Sequence, residues 1–236
     1  MPGQAKYAQM QRAFYEDHAA RSKYSKDEIV DNIVGSFTEH NIWPDYDRFL
    51  MKYVDGSFLD KLALDFACGP GRSIAKYSHL FRRLDGADIA QGNLDNAAAY
   101  LTSFGLSVPN LYVTSGIDLG GVPDNTYDLI FSTIAMQHIC VHETRFSILR
   151  HMYRALRPRG RISIQMGFGV SPNKAGYFEN RYDAPGTNSA CDTMIENPDY
   201  VEDDLRKIGF REFEYWVRPV GPGDSHPYWI FFTAVR

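Results

Sequence analysis

Residues 63–72 read ALDFACGPGR, a short apolar run closing in a turn with Gly69 and Gly71 on either side of Pro70. The spelling alone leaves two readings open, a cradle for a ligand and a tight bend between a strand and a helix, because glycines flanking a proline are common in ordinary turns. Residues at fixed distances downstream decide between them. Beyond the turn, short apolar runs alternate with helical patterns: LALDFA, RSIAKYSHLF, LDGADIA, GNLDNAAAYLTSFG, LYVTSG, the turn GGVPDNT, YDLIFSTIAM, a long helical stretch, and RISIQMGF. Strands separated by helices imply crossover connections and a parallel sheet covered on both faces.

The α/β core is therefore expected over residues 60–168 of a single domain spanning 1–236. In HETRFSILRHMYRALRPRG the apolar residues Phe146, Leu149, Met152, Tyr153 and Leu156 follow one helix face, and Pro158 and Gly160 mark its end. Residues 1–58 read as a helical N-terminal cover, with helices across Lys26–Phe49 broken near Pro44. Residues 169–198, rich in turn formers and without periodicity, read as an insert that lids a substrate site. Residues 199–236 read as a helix closed by Gly209 and two strands joined without a helix, which must run antiparallel if they pair.

Composition narrows the function. At 236 residues the chain suits one α/β domain, and 44% hydrophobic with 23% charged residues fits a globular protein. A net charge of −4 supplies no positive field for nucleic acid or an anionic membrane. No apolar stretch reaches the roughly 18 residues of a membrane span, and the N-terminus lacks a signal-peptide core, so the expected location is cytoplasmic. Cys68, Cys140 and Cys191 form no CxxC pair, read as reduced thiols, and suggest no metal. Six arginines lie between Arg145 and Arg161, but only Arg150, Arg154 and Arg157 share a helix face, which reads as a solvated surface. The expected partner is a small-molecule substrate, with no nucleic acid and no membrane; a homodimer stays open.

The glycine turn sits where α/β sheets bind ligands, at the carboxyl end of a strand and the start of a helix. The next strand ends in GADIA, placing Asp88 some 20 residues further on, the separation at which a carboxylate meets ribose hydroxyls. In SGIDLGGVPDNTYDLIF, Asp118 and Leu119 follow the strand LYVTSG, where a carboxylate can accept from an exocyclic amine. A local Asx-turn explains Asp118 equally well.

With LDFACGPGR, GADIA, DLGGVPDNTYDLIFS and ALRPRGRISI in place, residues 60–168 resemble the class I S-adenosylmethionine-dependent methyltransferases, in their small-molecule branch. Two positions depart from that pattern: Ala67 stands where a first glycine is usual, and Arg159 interrupts the usual Pro-Gly-Gly corner. A dinucleotide dehydrogenase would want a third glycine where Ile74 stands. The resemblance implies a Rossmann-like, seven-stranded, mostly parallel sheet with an antiparallel last strand, and S-adenosyl-L-methionine as cofactor. It implies cofactor contacts from Asp65, Ala67, Cys68, Gly69, Gly71, Arg72, Asp88, Ile89, Asn93, Asp118, Leu119, Ser132 and Thr133.

An acceptor that starts protonated needs a base, and MQHICVHET supplies His138 and His142 at the mouth of the site. Each also reads as a capping or packing histidine. Tyr177, Arg181, Tyr182 and Asn188 of the insert, with Tyr15, His18 and His226, are the candidate substrate contacts; a surface loop with a satellite tyrosine core is the plainer reading of the insert. Taken together, the expected activity is O-methylation of a small polar metabolite such as a sugar or a phosphorylated or glycosylated precursor. N-methylation of an amine, and a catalytically silent cofactor-binding scaffold, stay open.

Overall fold

The computed structural model describes residues 2–30, 45–183, 192–220 and 226–236. The chain opens with α1 (Pro2–Ala20), then a small hairpin of β1 (Lys23–Tyr24) and β2 (Ile29–Val30). After a single π-helical turn at Tyr46–Leu50 and a 3-10 turn at Gly56–Asp60, the core begins. It runs β3 (Leu62–Phe66), α2 (Arg72–Tyr77), β4 (Arg83–Asp88), α3 (Gln91–Ser103), β5 (Leu111–Val113), β6 (Tyr127–Ser132), α4 (His142–Ala155) and β7 (Leu156–Phe168). A two-residue strand β8 (Met194–Ile195), α5 (Pro198–Ile208), β9 (Arg211–Pro219) and β10 (Tyr228–Val235) complete it.

The strands form one mixed sheet in the order β5-β4-β3-β6-β7-β10-β9, with β8 added beside β7. Pairs from β5 to β7 are parallel, while β10 is antiparallel to both β7 and β9. This is a Rossmann-like α/β sheet of seven strands in line, with β8 as an eighth beside it. Central strands read as unbroken apolar runs because both faces are covered. On β3, Leu64 and Phe66 enter one core with α4, and Ala63 enters the other with Ile74 and Tyr77 of α2.

Two sequence expectations change. The described part of the cover is α1; within the stretch 26–49, residues 26–30 turn into β2 and 46–50 make one turn, while 31–44, with the expected break at Pro44, lie outside the described residues. The insert is not a detached lid where it is described. Ala175 bridges Thr193, β8 extends the sheet, and Tyr177 is buried, because the pairing satisfies backbone groups that a loose loop would leave to water.

α1 docks on the sheet's carboxyl end through polar ties its sequence does not advertise. Arg12 donates from Nη2 to the Thr114 carbonyl at 2.8 Å and from Nε to the Ile89 carbonyl at 3.3 Å. Glu16 accepts from the amides of Gln91 (2.7 Å) and Gly92 (3.0 Å), capping α3 from another element.

The glycine turn is left-handed at Ala67 (φ 57°), Gly69 (φ 51°) and Gly71 (φ 83°). Gly71 N-caps α2, and a Cβ there would meet the Ala97 Cβ at 3.1 Å, so this glycine lets α2 and α3 approach. Ala67 bears the steric cost that glycine avoids. Ala67→Gly is expected to raise the unfolding free energy by about 0.5–1 kcal/mol, relief of φ strain outweighing the added chain entropy, as read by urea denaturation.

Candidate active site

A cleft lies at the carboxyl ends of β3, β4 and β6 beneath α1. Its wall includes Ala67, Cys68, Gly69, Arg72, Asp88, Ile89, Asn93, Thr133, His138 and Tyr15. These span both the glycine turn and the segment after β6.

Asp88 anchors one end. Its Oδ2 accepts from the Gly69 amide at 2.9 Å, and its Oδ1 from the Ala90 amide at 3.0 Å and Asn93 Nδ2 at 3.1 Å. Burial pushes its pKa up, and these donors work against that by holding the anion. The buried Asn93 Oδ1 beside this carboxylate has no partner among the described residues. A Cβ built at Gly69 meets nothing within 4 Å, so the turn faces open space. Burial raises the pKa of the Cys68 thiol, and burial with the nearby Asp88 raises that of the Tyr15 phenol, so both stay protonated near neutrality.

The other end is built on the segment after β6. Ile134 lies on the wall at φ 47°, a conformation β-branched residues rarely adopt, and strain of this kind gathers at functional sites. A 3-10 turn, Met136–His138, comes next. His138 Nδ1 lies 2.7 Å from Asp192 Oδ1, and its Nε2 has no hydrogen-bond partner among the described residues. The segment is held from above by α1: the Cys140 amide donates to Tyr7 Oη at 2.7 Å, and Gln11 Nε2 donates to the His138 carbonyl at 3.2 Å. Below, the buried Arg145 donates to the Ile139 and Tyr177 carbonyls and to Thr193 Oγ1 at 3.0 Å. Arg145 is thus a core clamp, not part of a solvated basic face. Arg154 and Arg157 do pair at the surface, with Asp124 and Asp128.

Several expected site residues lie elsewhere. His142 Nε2 donates to Asp204 Oδ2 (2.6 Å), which also accepts from the Tyr177 hydroxyl at 3.0 Å; both His142 and Tyr177 are off the wall because they join α4, α5 and the insert. Asp118 is spent on its own turn, accepting from the Gly120 amide at 2.8 Å, and Leu119 is fully buried in the core. Burial acts to raise the Asp118 pKa, yet the hydrogen bonds of that turn hold it below the usual range. Thr114 and Gly116 line the cleft in their stead. Asp65 is buried behind the turn and Ser132 inside the core, neither on the wall. His18 packs on Phe14, 4.4 Å between ring centroids. Arg181 pairs with Glu179 at 2.7 Å, and Tyr182 donates to Glu143 at 2.9 Å while its ring edges Tyr7. His226 sits 3.3 Å from Asp192, in the layer behind His138, and Asn188 lies outside the described residues. Tyr7 and Gln11 escaped the sequence reading, though with Tyr15 they fall at i, i+4 and i+8, one helix face. Among the described residues no helix is long and apolar enough to cross a membrane.

A sequence profile described as a methyltransferase domain matches residues 64–164, from β3 into β7. The chain is 29% identical over 233 residues to the ubiquinone/menaquinone biosynthesis C-methyltransferase UbiE of Escherichia coli O1:K1 / APEC, spanning 91% of this chain and 90% of that protein. It is 29% identical over 160 residues to the protein of the same name from Citrobacter koseri, spanning 66% of this chain and 61% of that one, less than two thirds of that relative's length. Among solved structures, Haemonchus contortus phosphoethanolamine N-methyltransferase 2 in complex with S-adenosyl-L-methionine superposes with a TM-score of 0.62 at 17% identity, over 82% of this chain and 52% of that chain, a likeness of fold.

Asp192 gives the site a pH signature. Burial acts to raise its pKa, but the hydrogen bonds from His138 and His226 and the charge of Lys174 outweigh it and hold it well below the usual carboxylate range. A depressed folded pKa contributes stability above the unfolded value of about 3.9, lost as pH falls toward the folded value. Urea denaturation from pH 5 down to pH 2 is expected to show a shallower loss of stability in Asp192→Asn than in the native chain.

Proposed function

We propose, from the premise that this chain belongs to the class I S-adenosylmethionine-dependent methyltransferases, that it methylates a hydroxyl on a small, largely apolar molecule with His138 as the base. The residues present fit the cofactor. The Asp88 carboxylate on the cleft wall and the unpartnered Asn93 Oδ1 suit ribose hydroxyls, and the open face of Gly69 beside Ala67 suits the methionine end. When bound, the cofactor supplies a methyl group on a sulfonium sulfur, which takes back the carbon–sulfur electron pair as the acceptor's lone pair forms the new bond.

The chain aligns the acceptor, keeps water out and removes the proton. Holding two reactants in near-attack geometry supplies roughly 7–11 kcal/mol, and α1 closing over the cleft serves that end. His138 carries the assignment: with Nδ1 engaged by Asp192, the Nε2 lone pair is left to take the acceptor's proton. A phosphate or carboxylate acceptor, already ionised, would leave such a base idle.

The wall around His138 is Phe66, Ile134, Ile139 and Ile148 with Tyr7 and Tyr15 at the edges. Arg181 and Tyr177, the expected grip on a sugar or phosphate, are an ion-paired surface residue and a core residue. An acceptor with an apolar body, its hydroxyl toward His138, suits that lining. The name of the relatives at 29% identity favours a second reading, methylation at an acidic carbon, which also needs a base.

S-adenosylmethionine is expected to raise the melting temperature, and Asp88→Ala to remove that shift; no shift at saturating cofactor sinks the proposal. With methyl-labelled cofactor and a panel of phenols, hydroxylated ring compounds and carbon acids, His138→Ala is expected to lose about 10²–10⁴-fold in turnover while keeping the cofactor's thermal shift. Full turnover in that variant would remove His138 from the base role.

A further inference from the structure

Behind His138 lies a buried polar cluster that cofactor binding does not use. Asp192 Oδ1 faces His138 Nδ1 at 2.7 Å, and Asp192 Oδ2 faces Lys174 Nζ and His226 Nε2, each at 3.3 Å. All four residues are buried. They come from separate parts of the chain: the turn after β6, two points of the insert, and the lead into β10.

We infer that Asp192 is a positioning residue that fixes His138 as the Nδ1–H tautomer, leaving Nε2 as the acceptor on the cleft wall, while Lys174 and His226 hold the second Asp192 oxygen. The inference rests on the base role of His138. An ionised carboxylate only accepts, so a 2.7 Å contact to Oδ1 requires the proton on Nδ1. The depressed pKa of Asp192 keeps it ionised across the neutral range.

The backbone is arranged to keep this register. The Thr193 amide donates to the Gln137 carbonyl at 2.7 Å, joining the residue after Asp192 to the residue before His138. The Ala175 amide donates to the Asp192 carbonyl at 2.8 Å, tying the Lys174 end of the insert to the same point. Across the cluster, a Cβ built on Gly167 would come within 2.7 Å of His226 Nε2, so the imidazole lies directly on the backbone of β7 and only glycine leaves room for it. The Lys174 ammonium balances the carboxylate, so the group carries no net charge while both imidazoles are neutral.

His226, expected from the sequence to touch substrate, thereby becomes a support for the base. The test uses the full chain labelled with ¹⁵N-histidine, read by long-range ¹H–¹⁵N spectra at a mildly alkaline pH where imidazoles are neutral, with His138→Gln assigning the signal. The native chain is expected to show His138 protonated on Nδ1, opposite to the preference of free histidine, and Asp192→Asn to shift the ring toward the Nε2–H form. Nε2–H in the native chain, or an unchanged tautomer in Asp192→Asn, overturns the inference. Should Asp192→Asn fail to fold, the native tautomer decides alone. The thermal shift with S-adenosylmethionine is run on the same sample: a shift with the wrong tautomer rejects the support network and keeps the methyltransferase, whereas the right tautomer without a shift does the reverse.

Discussion

The buried carboxylate of Asp88 is the constraint on which the cleft depends. It ends β4, receives the amide of Gly69 from the turn after β3, and receives the Ala90 amide and Asn93 side chain at the start of α3. Three elements are thereby brought to one point. Burial alone would favour the neutral acid, and the donors offset that cost because charge-assisted hydrogen bonds are the strong ones. The left-handed turn at Ala67, Gly69 and Gly71 then presents its backbone to the cleft, with Gly71 freeing α2 to lie against α3. Without the carboxylate, that turn would be only a bend.

The second end of the cleft is held between two covers. α1 reaches it through Tyr7 and Gln11, and the insert reaches it through Thr193, Tyr177 and the guanidinium of Arg145. Hydrogen bonds from a charged donor are worth roughly 1.5–3 kcal/mol each, and leaving a buried guanidinium unpaired costs more. Arg145 therefore acts as a clamp whose release would free Ile139 and Tyr177 together. Holding His138 between a helix from the start of the chain and an insert after β7 confers rigidity on a side chain that otherwise sits on a loop.

Much of the cofactor end was legible in the sequence. The turn, Asp88, Ile89 and Asn93 succeed one another along two β-α units, and local order carries them to one place once the sheet is parallel. On the expected adenine side, Asp118 satisfies an Asx-turn, while Thr114 and Gly116 line the wall. A carboxylate that bonds the amide two residues on looks the same in a sequence as one that bonds a ligand. The pair His138 and His142 shows the same limit, since four residues apart they turn to different partners, Asp192 and Asp204. Tyr177, His226 and Arg145 likewise show residue types that suit a site but serve its support.

By itself the sequence determined the parallel sheet, its antiparallel finish, and the resemblance of the core to a methyltransferase family, because hydrophobic period and turn chemistry act over short separations. Only the tertiary structure decided which histidine faces the cleft, that α1 roofs it, and that Asp192, Lys174 and His226 stand behind His138. Those contacts join residues up to 133 positions apart, as between Tyr7 and Cys140. Side-chain direction at such separations is set by packing, satisfaction of buried polar groups and charge pairing, none of which is written in local spacing.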